Sequence, residues 1–335
     1  MFNNIFFVQT IQFYKKKCIE HDIPHFTASR NSKYSIAFIK KLFKTLKEEQ
    51  IDILHVHDSK AFSMSLLLVK FFPKLKLVYS RKRNNKVHKN FFKVLKYNHH
   101  RIDRIVCVSQ AVKDVLTPVL NNNDKAQVIY DGIDVEKFEN SLDTGILRAS
   151  YNIPEKTLII GNIAGLTRQK DLFTFLDSAK IILAETNKKI IFLIVGQGPL
   201  EEELKAYAKE LGIHKHVIFT GFRKDIPEIL PELDLFLLSS ETEGLPLSIM
   251  EAFACKVPVV ATAAGGTGEA IINEETGMIS PVKNPKKLAA NATKLINDPE
   301  LRNKIINKAF ELVNSKFTLK VMEQNYYNFY KKIRD

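Results

Sequence analysis

No stretch of the sequence reaches the roughly eighteen consecutive apolar residues needed to span a bilayer. The opening MFNNIFFVQT lacks both a basic leader and a small-residue cleavage site, which predicts a chain that stays in the cytoplasm. Cysteine is scarce. Cys18, Cys107 and Cys255 stand far apart in apolar or mixed contexts, with no C-x-x-C pair and no histidine cluster at metal spacing. They are expected as buried thiols, and no metal site is expected. Internal repeats and low-complexity segments are also lacking.

Acidic residues are sparse in one half only. The net charge is +13, and residues 1–150 hold 26 Lys and Arg against 14 Asp and Glu, a net +12. Residues 151–335 hold 24 against 23, a net +1. A first half this basic suits phosphates on nucleic acid, on an anionic membrane or on a lipid diphosphate acceptor. No nucleic-acid motif accompanies it, so no nucleic-acid partner is expected. The alternative is a lysine-rich surface that serves solubility alone. Segment 35–49, SIAFIKKLFKTLKEE, spaces Ile36, Phe38, Ile39, Leu42, Phe43 and Leu46 at near-helical intervals among lysines. It reads either as the core side of a helix or as a helix lying on a bilayer.

With 335 residues, 45% hydrophobic and 26% charged, the chain fits a soluble globular protein of two ordinary domains. From 157 onward, apolar runs at 157–165, 189–196, 216–222, 233–240 and 257–263 alternate with helix-like segments at 171–185, 200–211 and 246–255. This rhythm predicts βαβ units and a parallel sheet. The first half repeats it less cleanly at 51–57, 75–80, 104–109 and 126–134. Two Rossmann-like α/β domains in series follow, 1–138 and 139–316.

Residues 243–251 read EGLPLSIME, directly after the apolar run LDLFLLSS. A strand running through a glycine turn into a helix is where open α/β sheets place ligands. Pro246 suits the first helical turn, putting Glu243 before the helix and Glu251 within it. Gly244, Leu245 and Pro246 lie between the two glutamates, where a helix start attracts an anion such as a diphosphate.

Glu-x7-Glu at this place resembles the retaining glycosyltransferases of family GT4, which have the GT-B fold: two Rossmann-like domains facing each other across a cleft. The resemblance implies donor-sugar contact by Glu243 and ribose contact by Glu251. In GLTRQKD, Lys170 matches the family's phosphate lysine. The family usually has an arginine five residues earlier, where this chain has Gly165; Arg168 is the candidate substitute for that charge. VGQGP (195–199), FTGFRKDI (219–226), AAGGTGEAI (263–271) and NEETGMISP (273–281) follow in family order. Gly221, Phe222 and Arg223 are then candidates for the base site, with packing of Phe222 on the sheet as the alternative. YDGID resembles the interdomain connector, with Asp131 in place of its asparagine, and the tail 317–335 is expected to pack back on the first domain.

On the acceptor side, HVHDSKA resembles a strand-end His-x-His segment and offers His57 and Asp58. The family's T-x-H at the next strand end is replaced by YSRKR, where Ser80 and Arg81 are candidates for an anionic acceptor. By the same resemblance, a strand and a Gly-Gly loop usually stand before a strand like NIFFVQ (4–9), and this chain is expected to be shortened there. The implied activity is transfer of a sugar, with retention, from a nucleotide-diphosphate sugar to a glycan or lipid-linked acceptor in polysaccharide or lipopolysaccharide synthesis. No cofactor is implied beyond the donor, and the expected place is cytoplasmic, peripheral on the inner membrane. A donor-binding remnant, a basic nucleic-acid-binding protein and a nucleotide-sugar epimerase stand as rival readings.

Overall fold

The computed structural model describes residues 6–9, 16, 18–28 and 35–334. Among them, strands pair only in parallel and form three sheets. Strands β1 (Phe6–Gln9) and β2 (His25–Ala28) pair with each other. A four-stranded sheet runs in chain order through β3 (Ile53–Val56), β4 (Lys76–Arg81), β5 (Ile102–Cys107) and β6 (Ala126–Val128). The third sheet takes β7 (Leu158–Ile163), β8 (Ile190–Val195) and β9 (Val217–Gly221) to one side, then β10 (Leu235–Leu238), β11 (Val259–Thr262) and β12 (Met278–Ser280) to the other. Its order is β12-β11-β10-β7-β8-β9. The chain therefore reverses direction across this sheet between β7 and β10.

Both faces of the six-stranded sheet are covered, which is why its strands read as unbroken apolar runs. Successive side chains point to opposite faces. Ile160, Phe192, Ile194 and Leu237 pack under the helices Leu172–Glu185 and Pro285–Asn297. Ile159, Leu193, Phe236 and Leu238 join the opposite layer with Ile249 and Phe253 of helix Leu247–Ala254.

The segment 35–49 forms helix Ile36–Glu48, and Ser35 caps it by accepting a hydrogen bond from the Phe38 N–H at 3.4 Å. Phe38, Leu42 and Leu46 are buried in the core with Ile39 and Phe43 packed against it, so the stripe is the core side of a helix except for Ile36 at its start, which is exposed. Cys18 and Cys107 are buried free thiols as expected, but Cys255 is only partly buried. It sits at the C-terminus of helix Leu247–Ala254, with its Sγ 3.5 Å from the Phe138 carbonyl.

The last helix, Leu319–Arg334, returns to the first sheet, where buried Phe329 packs on Val78, Val106 and Ile129. Its start is laced to the connector: the Ile133 N–H donates to Phe317 O and the Leu319 N–H to Ile133 O. A Cβ on Gly132 would lie 2.3 Å from Thr318 O, so this crossing requires glycine at that point of YDGID. Among the described residues no helix is long and apolar enough to cross a membrane.

The same helix closes over the end of β3. His55 stands with Nδ1 2.5 Å from the Tyr330 hydroxyl and Nε2 2.7 Å from Ser80 Oγ. Burial, with His57 and Lys82 adding positive charge, pushes the His55 imidazole down to about 2. His55 is thus neutral in the fold and, once unfolded, titrates near 6.5. Between those values the unfolded chain binds the extra proton, so stability is full above pH 6.5 and falls as the solution is acidified. One such site gives a slope of up to about 1.4 kcal/mol per pH unit. Urea unfolding of His55→Gln from pH 7 to 5 should show a shallower loss than the natural chain; an equal slope would mean the ring is charged in the fold.

Candidate active site

The reversal between β7 and β10 opens a crevice beyond the carboxyl ends of the strands, the place where open parallel sheets bind ligands. The loop after β7 carries Lys170 in the short turn Arg168–Lys170, and the loop after β10 carries Glu243. The two meet there: Lys170 Nζ is 2.7 Å from Glu243 Oε1. Ser240 donates its hydroxyl to the same oxygen at 2.6 Å, and Ser239 Oγ donates to Lys170 O at 3.1 Å. Thr262 Oγ1 in turn donates to Ser240 O at 2.6 Å. Glu243 is buried and Lys170 partly so, so the pair works in a medium where charges interact more strongly than in water.

Helix Leu247–Ala254 begins one residue later than expected. Pro246 is the residue before its first turn, in extended conformation at φ −79° and ψ 95°, and it contributes no side-chain cap. The first N–H groups of the helix therefore have no capping hydroxyl or carboxylate from that position, although the Ile249 N–H donates to Pro246 O at 3.1 Å. Glu251 lies inside the helix, and burial pushes its carboxyl above the usual carboxylate range, with Lys137 opposing.

Glycines bring the first domain up to this loop. A Cβ on Gly244 would lie 2.0 Å from Lys82 O. On Gly265, at φ +52°, it would lie 2.3 Å from Asn84 Nδ2; on Gly266, 3.0 Å from Ser109 Oγ. The Glu269 carboxylate completes the seam by accepting from the N–H groups of Gln110 and Ala111, at 2.7 and 2.9 Å, and from the Tyr130 hydroxyl at 3.0 Å. It thereby caps helix Gln110–Asp114 from across the cleft. On the same side, Lys82 Nζ lies 3.0 Å from both oxygens of Asp131. Lys82, Asn84, Asp131 and Glu269 were not among the sequence candidates. The RKR run and the connector aspartate were the visible signals for Lys82 and Asp131, while Glu269 offered no sign of partners in the other half.

At the far end of the crevice, Gly221 adopts φ +70° and its carbonyl accepts from the Gly196 N–H at 2.9 Å. Phe222 is 61% exposed and does not pack on the sheet. Arg223 donates from Nε to Asp225 Oδ1 at 2.8 Å, which fixes the guanidinium beside the phenyl ring's loop. Arg168 is exposed at the start of its turn. A Cβ on Gly165 would come no closer than 3.8 Å to Gln197 O, so this position has room for a side chain.

The acceptor-side candidates fare differently. Asp58 is the N-cap of helix Ser59–Leu68 and accepts from the Lys60 and Ala61 N–H groups, so its carboxylate has a capping task the sequence reading did not assign. Ser80 is buried against His55 rather than open to an acceptor, because β4 lies inside the sheet with the last helix over its end. Arg81 donates from one NH to the Tyr97 hydroxyl at 3.3 Å and from the other to Asn85 O at 2.6 Å, which ties it to its own loop. His57 keeps part of its surface in water, but its ring lies against that of His55, 4.2 Å between centroids. Desolvation by the surrounding protein, together with Lys82 and against Asp131, brings its imidazole down to about 4.

The sequence profile described as Glycosyl transferases group 1 matches residues 143–312, and the profile Glycosyltransferase Family 4 matches residues 10–137. N-acetyl-alpha-D-glucosaminyl L-malate synthase of Bacillus anthracis is 27% identical over 90% of this chain and 80% of its own length. The Escherichia coli UDP-Gal:alpha-D-GlcNAc-diphosphoundecaprenol alpha-1,3-galactosyltransferase is 28% identical over 79% of this chain and 73% of its own. Among solved structures, Anabaena HepE in complex with UDP and glucose superposes with a TM-score of 0.85 at 22% identity, covering 97% of this chain and 91% of that one. A Rickettsia africae glycosyltransferase gives 0.84 at 22% identity, over 98% and 97%. The architecture is GT-B, and the chain belongs to the group 1, GT4-type family of glycosyltransferases.

Proposed function

We propose that the protein transfers a sugar, with retention of anomeric configuration, from a nucleotide-diphosphate donor to a glycan or lipid-linked acceptor in the making of a cell-surface polysaccharide or lipopolysaccharide. The observation that carries this reading is the meeting of Lys170 and Glu243 at the switch point between β7 and β10. A cation and a carboxylate there match the two ends of a sugar diphosphate. Lys170, with Arg168 and the start of helix Leu247–Ala254, stabilises the negative charge that grows on the departing diphosphate. Glu243, steadied by Ser240, accepts hydrogen bonds from the sugar hydroxyls. Glu251 accepts from the ribose, and the base lies against Gly221, Phe222 and Arg223. No cofactor beyond the donor enters this scheme. The names of the relatives support it: the E. coli enzyme uses UDP-Gal and a diphosphoundecaprenol-linked sugar, and HepE binds UDP and glucose.

The diphosphate role is tested by calorimetry with UDP, GDP and ADP against the matching nucleosides. Lys170→Ala should weaken the preferred diphosphate by roughly 1.5–3 kcal/mol, the scale of a charged hydrogen bond, and leave the nucleoside nearly unchanged. Equal losses for both ligands would contradict the assignment. Glu251→Ala should weaken diphosphate and nucleoside alike by roughly 1–3 kcal/mol, since the ribose is common to both.

The room at Gly165 gives a gain-of-function counterpart. Gly165→Arg restores a cation at the mouth of the phosphate loop without a backbone clash. It should tighten diphosphate binding by on the order of 1 kcal/mol, with the gain diminishing as salt is raised. An unchanged affinity in the same titration would place that loop away from the phosphates.

A further inference from the structure

Large apolar side chains in water usually mark something that covers them. The helix Phe91–Tyr97 presents three on one side: Phe91, Phe92 and Leu95 are 75, 79 and 59% exposed. Leu95 follows Phe91 by four residues and Phe92 by three, so all three share a face. The opposite side is committed inward. Tyr97 is buried and Val94 packs against the core. Lys96 also turns inward, with Nζ 2.7 Å from Ser63 Oγ and over the Phe62 ring. Asn90 caps the helix by accepting from the Lys93 N–H at 2.9 Å, so the aromatic pair stands at a fixed, capped end. The two rings sit edge to face, 5.8 Å apart between centroids.

The charge along this segment of chain has one sign, although Asp114 lines the hollow beside Lys86 and His88. Residues 81–101 hold eight Lys and Arg and no Asp or Glu, and Lys86 and Lys89 are exposed just before the helix. Phenylalanines beside lysines on a short amphipathic turn match the two layers of a lipid interface, with acyl chains below and anionic headgroups above. The turn is far too short to span a bilayer and suits shallow insertion.

We propose that residues 86–97 are a bilayer-docking element, in which Phe91, Phe92 and Leu95 enter the acyl boundary of an anionic membrane while Lys86 and Lys89 hold its headgroups. This deepens the reading of a lipid-linked acceptor by naming the surface that meets the lipid, and it is tested with no sugar transfer involved. The chain contains no tryptophan, so Phe92→Trp in the full protein creates a single fluorescent reporter on the proposed face. Emission should shift to the blue and be quenched by brominated acyl chains on adding phosphatidylglycerol vesicles, and change little with phosphatidylcholine vesicles. The double variant Phe91→Ser/Phe92→Ser should lose about tenfold or more in vesicle affinity, as two aromatic side chains no longer leave water. The charge variant Lys86→Glu/Lys89→Glu should lose affinity at low salt. Nucleoside diphosphate affinity should be unchanged in both, which checks their folding and keeps this outcome separate from the fate of the donor site.

A tryptophan that stays in water on anionic vesicles would overturn the proposal. So would emission that shifts with protein concentration alone, which would assign the face to a second copy, or with duplex DNA but not with vesicles. Unaltered vesicle binding by the double serine variant would overturn it too.

Discussion

The two halves of this protein approach closely at their seam because glycines of one half stand against Lys82, Asn84 and Ser109 of the other. A methyl group on Gly244 would collide with the Lys82 carbonyl and one on Gly265 with Asn84, while one on Gly266 would collide with the Gly244 carbonyl and crowd Ser109, so the approach depends on residues that have no side chain. Glu269 adds the polar part of the same contact, filling the orphan donors of a helix start in the other domain. The loop that carries Glu243 thus belongs to one sheet, but its position is set against loops of the other. The last helix repeats the linkage elsewhere, crossing from the second domain to bury Phe329 against the first sheet.

Within that frame the polar groups divide by how much water they meet. Lys170, Glu243 and Ser240 form a connected set with hydrogen bonds of 2.6–2.7 Å at the switch point, where low local dielectric makes each charge count. Across the seam, Lys82 is paired with Asp131, the His57 ring lies against that of His55, and His55 is held neutral beneath the last helix. Of the basic residues before position 150, Lys82 lies at the seam and Lys96 turns onto Ser63 and Phe62, while Lys86 and Lys89 are exposed just before the exposed Phe91 and Phe92.

The sheets were legible because their strands are buried on both faces and read as continuous apolar runs such as LFLL and VVAT. The loops proposed to hold the donor could be picked out for a related reason: they follow those strands consecutively and in fixed order, so spacing carries information. The acceptor side lacked both advantages. HVHDSKA ends a strand, and the local D-S-K-A pattern that makes Asp58 a helix cap competes with its reading as a cleft residue. Ser80 finds its partner in His55 of β3 and Arg81 finds its own in Tyr97 and Asn85, contacts that strand and helix periodicity does not encode. Glu269 contacts residues 158 and 159 positions away, beyond any local periodicity.

Retention of configuration can be tested without knowledge of the acceptor, through the slow hydrolysis of donor by water. With an α-configured nucleotide-diphosphate sugar and the full chain, proton NMR of the freshly released sugar reports its anomeric coupling before mutarotation. Appearance of the α-anomer first, lost in Lys170→Ala, is the result predicted. Initial release of the β-anomer would contradict retention and with it the roles given to Glu243 and Lys170.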